Sequence, residues 1–188
     1  MANLSPTLLL AWDIAANEAA NAKSSVIEPE HLFIGLCKLE DFASVTALTD
    51  LGYDQAEAEA MQPEIEALVS VFYQFGLSPA NLRRDLRVRK GTGMLNMLGG
   101  WTTGMLRQPS QNSESSVIHR SHASRLAFAR ADEFALMNGS FNTGVAHLLA
   151  ALLDNPQSVL LAYLRKQNVD ANAVKQAALE IKLEIKRR

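Results

Sequence analysis

The stretch from Leu4 to Ile65 occurs twice in this chain. Shifted by 116 residues, the offset set by His31-Leu32 and His147-Leu148, it lies on Arg120 to Ile181 without a gap. The offset pairs Ser5 with Ser121, Leu10-Ala11 with Leu126-Ala127, Ala15 with Ala131, Ala19 with Ala135 and Ser24 with Ser140. It goes on to pair Leu36 with Leu152, Leu48 with Leu164, Asp54 with Asp170 and Glu64-Ile65 with Glu180-Ile181. Between these identities lie swaps of like for like, such as Trp12 with Phe128 and Val45 with Leu161. A duplication constrains architecture before any motif is read, because each copy is one structural unit whose apolar face is buried against its neighbour.

Each copy reads as four helices. Ser5 with Pro6 opens the first, since a Ser oxygen accepts from free backbone N–H groups and Pro suits the first helical position; Ser121 opens its counterpart. Leu8, Leu9, Trp12, Ala15, Ala16 and Ala19 then follow the three-and-four spacing of one apolar helical face. A turn at Ala22 to Ser25 matches Asn138-Gly139-Ser140, and second helices begin at Pro29-Glu30-His31 and Thr143-Gly144. Third helices are expected from about Phe42 to Leu51 and from Pro156 to Gln167, ended by Gly52 and Asn168. Asp54 and Asp170 cap the fourth, where an acid suits both the open amides and the helix dipole. No alternating apolar-polar run is bounded by turns, so no strand is expected. The predicted fold is all-α, two pseudo-two-fold-related four-helix repeats over residues 4–66 and 118–184, with a partly mobile insert at 67–117 between them. Residues 185–188 would begin a linker to a following domain.

The insert has its own signals. Ser78-Pro79 opens a short amphipathic helix with Leu82 and Leu86 at i, i+4 beside Arg83, Arg84 and Arg87. Beyond it five glycines from Gly91 to Gly104 interleave with Met94, Met97, Trp101 and Met105, an adaptable apolar set that suits either covering the core or contacting a partner. The last helix keeps its periodicity from Ala171 to Arg188 through Val174, Ala178, Ile181 and Ile185, with no Gly or Asn to stop it.

Composition removes whole classes of function. Of 188 residues 48% are hydrophobic and 20% charged, which marks an ordered chain, and a net charge of −2 draws it to neither nucleic acid nor a membrane surface. The single cysteine, Cys37, sits among Ile34, Leu36 and Leu39 and reads as a buried thiol. With no basic leader and no apolar run of spanning length, a cytoplasmic, soluble chain is the default expectation. No Gly-x4-Gly-Lys-Ser/Thr phosphate loop occurs, so the chain as given is not an ATPase. His31 and His147 stand at the same helix start, but no Asp/Ser or Cys partner accompanies them in both copies, which suits capping or packing of the turn rather than catalysis. His119 and His122 have i, i+3 metal spacing but no third ligand. No catalytic residue, cofactor or metal is expected.

The stacked copies share a pattern: a Ser cap, an Ala-rich helix, a Glu-His-Leu type start to the second helix, then Leu-Gly-Tyr-Asp before the fourth. Its carriers are Glu28 to Leu36 and Leu48 to Asp54, and in the second copy Val145 to Leu153 and Leu164 to Asp170. This resembles the double-repeat N-terminal domain of the Clp (Hsp100) AAA+ unfoldases. The resemblance implies a non-enzymatic module tethered above an ATPase ring, binding substrate proteins or adaptor proteins, with AAA+ ATPase or Clp protease subunits as partners in cis or in trans. In some members the Glu of that helix start holds the guanidinium of a phosphorylated arginine, near the capping hydroxyl of the first helix. Carried over, this places Glu30 and Ser5 in the first copy. The second copy keeps Ser121 but has Ala146 where the acid would be. Glu30 also has a scaffold role open to it, since an acid in the first turn favours the helix dipole by itself. Two alternatives remain: a free-standing Clp-repeat accessory subunit, and a helical nucleic-acid binder using Arg83, Arg84, Arg87, Arg89 and Lys90.

Overall fold

The structure, a computed structural model, describes residues 3–91, 118–156 and 158–181. Helix α1 spans Pro6–Asn21 and α2 Pro29–Lys38; a 3-10 turn at Leu39–Phe42 leads to α3, Val45–Asp50, and α4, Gln55–Gln74. Then come α5 (Pro79–Gly91), α6 (His122–Met137), α7 (Val145–Asp154), α8 (Val159–Lys166) and α9 (Ala171–Leu179). The fold is all-α. The expected caps form: Ser5 accepts from Leu8 N and Ser121 from Ser124 N, both at 3.1 Å, while Asp54 accepts from Glu57 N at 2.7 Å and Asp170 from Asn172 N at 2.9 Å. The turns also match across the repeat, with left-handed backbone at Lys23 and Gly139 and again at Gly52 and Asn168.

Three boundaries differ from the sequence expectation. The third helices start later, at Val45 and Val159, because Ser44 and Ser158 cap them. Helix α9 ends at Leu179, where the Asn138 side-chain amide donates to the Leu179 carbonyl at 3.0 Å; the part of the expected periodicity at 182–188 lies outside the described residues. The chain also contains strands, each of two residues, too short to leave an alternating pattern. Strand β1 (Asn3–Leu4) pairs in parallel with β4 (Asn142–Thr143), and β2 (Val26–Ile27) with β3 (His119–Arg120).

Those pairs define the symmetry. Asn3 faces Asn142 and Val26 faces His119, and the offset of 116 turns one pairing into the other. Trp12 and Phe128, counterparts at that offset, meet edge to face with ring centroids 5.5 Å apart, so the pseudo-two-fold axis passes between them. The Arg120 guanidinium covers both rings, 5.3 and 5.1 Å from their centroids. Around this axis α1, α2, α6 and α7 bury Leu8, Ala15, Leu36, Ala131, Leu149 and Ala150 in a core shared by both repeats.

Helices α1 and α2 are in tight contact at Gly35, where a Cβ would overlap the Ala11 carbonyl oxygen and lie 3.3 Å from the Ala15 Cβ. The matching position in the second repeat is Ala151, so α6 and α7 pack with one methyl more between them. Overpacking against a backbone oxygen that cannot rotate away costs up to about 3 kcal/mol, against about 1 kcal/mol of helix propensity gained from Gly to Ala. Gly35→Ala is therefore expected to lose about 2 kcal/mol, read as a lower urea midpoint at an unchanged m-value.

Candidate functional site

The crossed strand pairs bring helix starts of opposite repeats together. Ser5 N donates to the Thr143 carbonyl at 2.9 Å and Ser121 N to the Ile27 carbonyl at 3.0 Å. The start of α1 thus lies beside that of α7, and the start of α6 beside that of α2. Each second helix opens on the same histidine device: His31 Nδ1 accepts from Glu28 N and His147 Nδ1 from Gly144 N, both at 3.0 Å. Both histidines are buried and work as neutral caps, as the sequence implied.

At the α2/α6 junction a depression of about 310 Å³ opens, lined by Glu28, Pro29, Glu30, Ala123, Asn155, Ser158 and Val159. It holds two carboxylates from one helix start, and Val159 on its rim is 48% exposed. The surface is thus suited to a cationic group with an apolar flank. Of the residues selected from sequence, Glu30 lies in this depression and Ser121 caps the helix beside it, but Ser5 does not accompany Glu30. The first-helix cap near Glu30 comes from the opposite repeat, because the strand pairing is crossed. Sequence alone pairs residues within a copy and cannot see this.

The α1/α7 junction is built differently. There the Glu64 carboxylate, from α4, accepts from Ser5 Oγ at 3.1 Å and from Val145 N at 2.9 Å. Glu64 is 7% exposed. Sequence reasoning missed this role, since Glu64 matches Glu180 and so reads as shared scaffold. The signal was Gly144, which stands where the first copy has Glu28.

The other selected groups are accounted for structurally. Met94, Met97, Trp101 and Met105 lie outside the described residues. Burial pushes the Cys37 thiol far above its ordinary range, so it does not act as a thiolate. His119 and His122 are exposed, and among the described residues no three His, Cys, Asp or Glu side chains come together to hold a metal. Two arginines of α5 are paired with acids: Arg87, with its side chain 48% exposed, forks onto Glu18 at 2.9 and 2.5 Å, and the more buried Arg83 meets Asp41 at 2.5 Å. Burial raises the Glu18 pKa, yet the Arg87 and Lys38 hydrogen bonds outweigh it and hold the carboxyl below its usual value. Arg84 bonds Asn81 at 3.0 Å. Pairing with Asp41 and Glu18 ties Arg83 and Arg87 to the fold, Arg84 faces solvent, and the side chains of Arg89 and Lys90 lie outside those described.

Residues 120–187 match the family described as Clp repeat (R) N-terminal domain. Among solved structures, the Hsp104 N-terminal domain from Candida albicans is similar at a TM-score of 0.61 and 12% identity, over 95% of this chain and 90% of that one. A chain solved in work on a malarial protein secretion system is similar at 0.61 and 15%, over 94% and 92%. No curated protein matches in sequence. The molecule is a pseudo-symmetric, double-repeat helical domain. Its fold is that of the Clp N-terminal domains, and its second repeat matches the Clp repeat family in sequence.

Burial lowers the His147 pKa from its ordinary 6.5. The unfolded chain therefore takes up a proton near 6.5 that the folded chain refuses, so this contribution to stability is whole above 6.5 and is lost as pH falls through the lowered folded value. The urea midpoint of the unaltered chain is expected to fall between pH 7 and about pH 5.5 by more than that of His147→Gln, which has no group titrating there.

Proposed function

We propose that this chain is a non-catalytic protein-binding module, the substrate- or adaptor-receiving N-terminal domain of a Clp-type ATP-dependent unfoldase, and that it docks partners at the α2/α6 depression. The observation that carries this reading is the depression itself, a surface made jointly by the two Clp-type repeats with Glu28 and Glu30 on one wall. Two carboxylates there favour a guanidinium or ammonium presented by a partner, in charge-assisted contacts that are bidentate for arginine. A second feature supports protein binding in general. Leu136, Met137 and Phe141, at the end of α6 and the following turn, are 73, 76 and 83% exposed, whereas their first-repeat counterparts are Ala20, Asn21 and Ser25. Exposed apolar clusters of this kind mark contact surfaces.

The test is a fluorescence-anisotropy screen of the chain against short peptides bearing arginine, phosphorylated arginine or neither. Arginine-type peptides are expected to bind, and Glu30→Gln to weaken them about tenfold, the value of one charge-assisted hydrogen bond. Equal affinity for Glu30→Gln and the unaltered chain, with both folded by circular dichroism, would remove this depression from the reading.

A further inference from the structure

The two helix-start junctions are twins under the pseudo-two-fold, yet among the described residues the α2/α6 junction is open and the α1/α7 junction is closed. At the offset of 116 the open depression's Glu28, Pro29 and Glu30 become Gly144, Val145 and Ala146, and its Ala123, Asn155 and Ser158 become Thr7, Leu39 and Phe42. Gly144, Val145, Ala146, Thr7 and Leu39 are all buried. We infer that Glu64 is an intramolecular ligand: its carboxylate fills and closes an anion-accepting cleft at the α1 and α7 starts, and so leaves the chain one docking depression instead of two. That the open depression docks partners rests on the function proposed above; that its twin is closed rests on the contacts of Glu64 alone.

Four features make the closure specific. First, a Cβ on Gly144 would overlap the Glu64 carboxylate oxygen, so the carboxylate fits only because the second copy lacks the side chain that the first has in Glu28. Second, Val145 offers a backbone N–H where Pro29 has none. Third, Glu180, which matches Glu64, is exposed at the cap of α9, so the other junction receives no such carboxylate. Fourth, among the described residues Glu64 has no ion-pair partner, and its charge is met by a hydroxyl, an amide and the positive ends of a 16-residue and a 10-residue helix. In the same first turn of α1, the Thr7 hydroxyl is buried without a hydrogen-bond partner, a polar group that the Glu64 carboxylate leaves unsatisfied.

Removing the internal ligand should expose the cleft to an external oxyanion. Glu64→Ala in the full chain is titrated with inorganic phosphate against chloride at equal ionic strength, following the melting temperature and the Val145 amide resonance. The variant is expected to melt several degrees lower than the unaltered chain and to regain part of that loss as phosphate saturates, with Val145 shifting in step. The unaltered chain should show neither response. Glu64→Gln keeps the shape while removing the charge, so it carries the experiment if the alanine variant does not fold; since its amide still occupies the cleft, it should gain the response at higher phosphate concentration. A folded variant that ignores phosphate, or a Val145 shift of equal size in the unaltered chain, overturns the closure. An arginine peptide added to the unaltered chain should shift the amides of Ala123 and Ser158 and spare Val145; if it shifts Val145 equally, the closure fails. If it shifts none of the three while Glu64→Ala still responds to phosphate, the docking site fails and the closure stands.

Discussion

The crossed pairing of four two-residue strands is the contact on which the rest of the structure depends. Because β1 joins β4 and β2 joins β3, every first helix begins beside the second helix of the other repeat. Neither repeat can then complete its own helix starts. The backbone N–H of Ser5 needs Thr143, that of Ser121 needs Ile27, and the Ser124 hydroxyl reaches the Ile27 carbonyl at 2.6 Å. Unpaired, these buried groups would each carry a desolvation cost of about 1–3 kcal/mol. The repeats are thus bound by obligatory hydrogen bonds at two places and by the Trp12–Phe128 contact on the axis between them.

The same crossing sets where chemistry can arise. Two helix starts side by side concentrate unsatisfied amides and dipole charge, which favours anions. At the α1/α7 junction the chain answers with its own anion, Glu64. At the α2/α6 junction it reverses the preference: Pro29 removes an amide, and Glu28 and Glu30 supply negative charge, so what remains is a place for a cation. One scaffold, duplicated, carries two opposite electrostatic solutions, and the difference lies in the three residues that begin each second helix.

Much of the fold was legible because its determinants are local. Caps at Ser5, Ser121, Asp54 and Asp170, histidine caps at His31 and His147, and left-handed stops at Gly52 and Asn168 act within four residues and leave a signature at fixed spacing. What escaped was nonlocal. Two-residue strands have no periodicity to detect, and the depression that holds Glu30 is completed by residues of the other repeat. The Leu179 carbonyl at the end of α9 accepts from an Asn138 amide more than forty residues away in the chain, at 3.0 Å. The acids that pair with Arg87 and Arg83, Glu18 and Asp41, are remote in sequence. Glu64 was hidden for a subtler reason: identity with Glu180 disguised a residue whose surroundings are unlike those of its twin.

The charge pairs show how far the copies have become non-interchangeable. Glu18 in the first repeat corresponds to Phe134 in the second, and Lys38 corresponds to Asp154. In the first repeat Glu18 joins Lys38 at 3.0 Å and Arg87, tying α1 and α2 to α5. In the second, Asp154 takes Arg130 at 2.7 Å and Lys175 at 3.0 Å, tying α7 to α6 and α9, while the Arg130 guanidinium stacks 4.4 Å from the Phe134 ring centroid. Partly exposed pairs of this kind add little net stability. Their effect is on which element packs where: an acid at Glu18 accepts the arginine face of α5, and the phenyl ring and opposite sign at Phe134 and Asp154 do not. The insert therefore has one berth in a scaffold that symmetry would otherwise give two, just as the open depression has one place and not two.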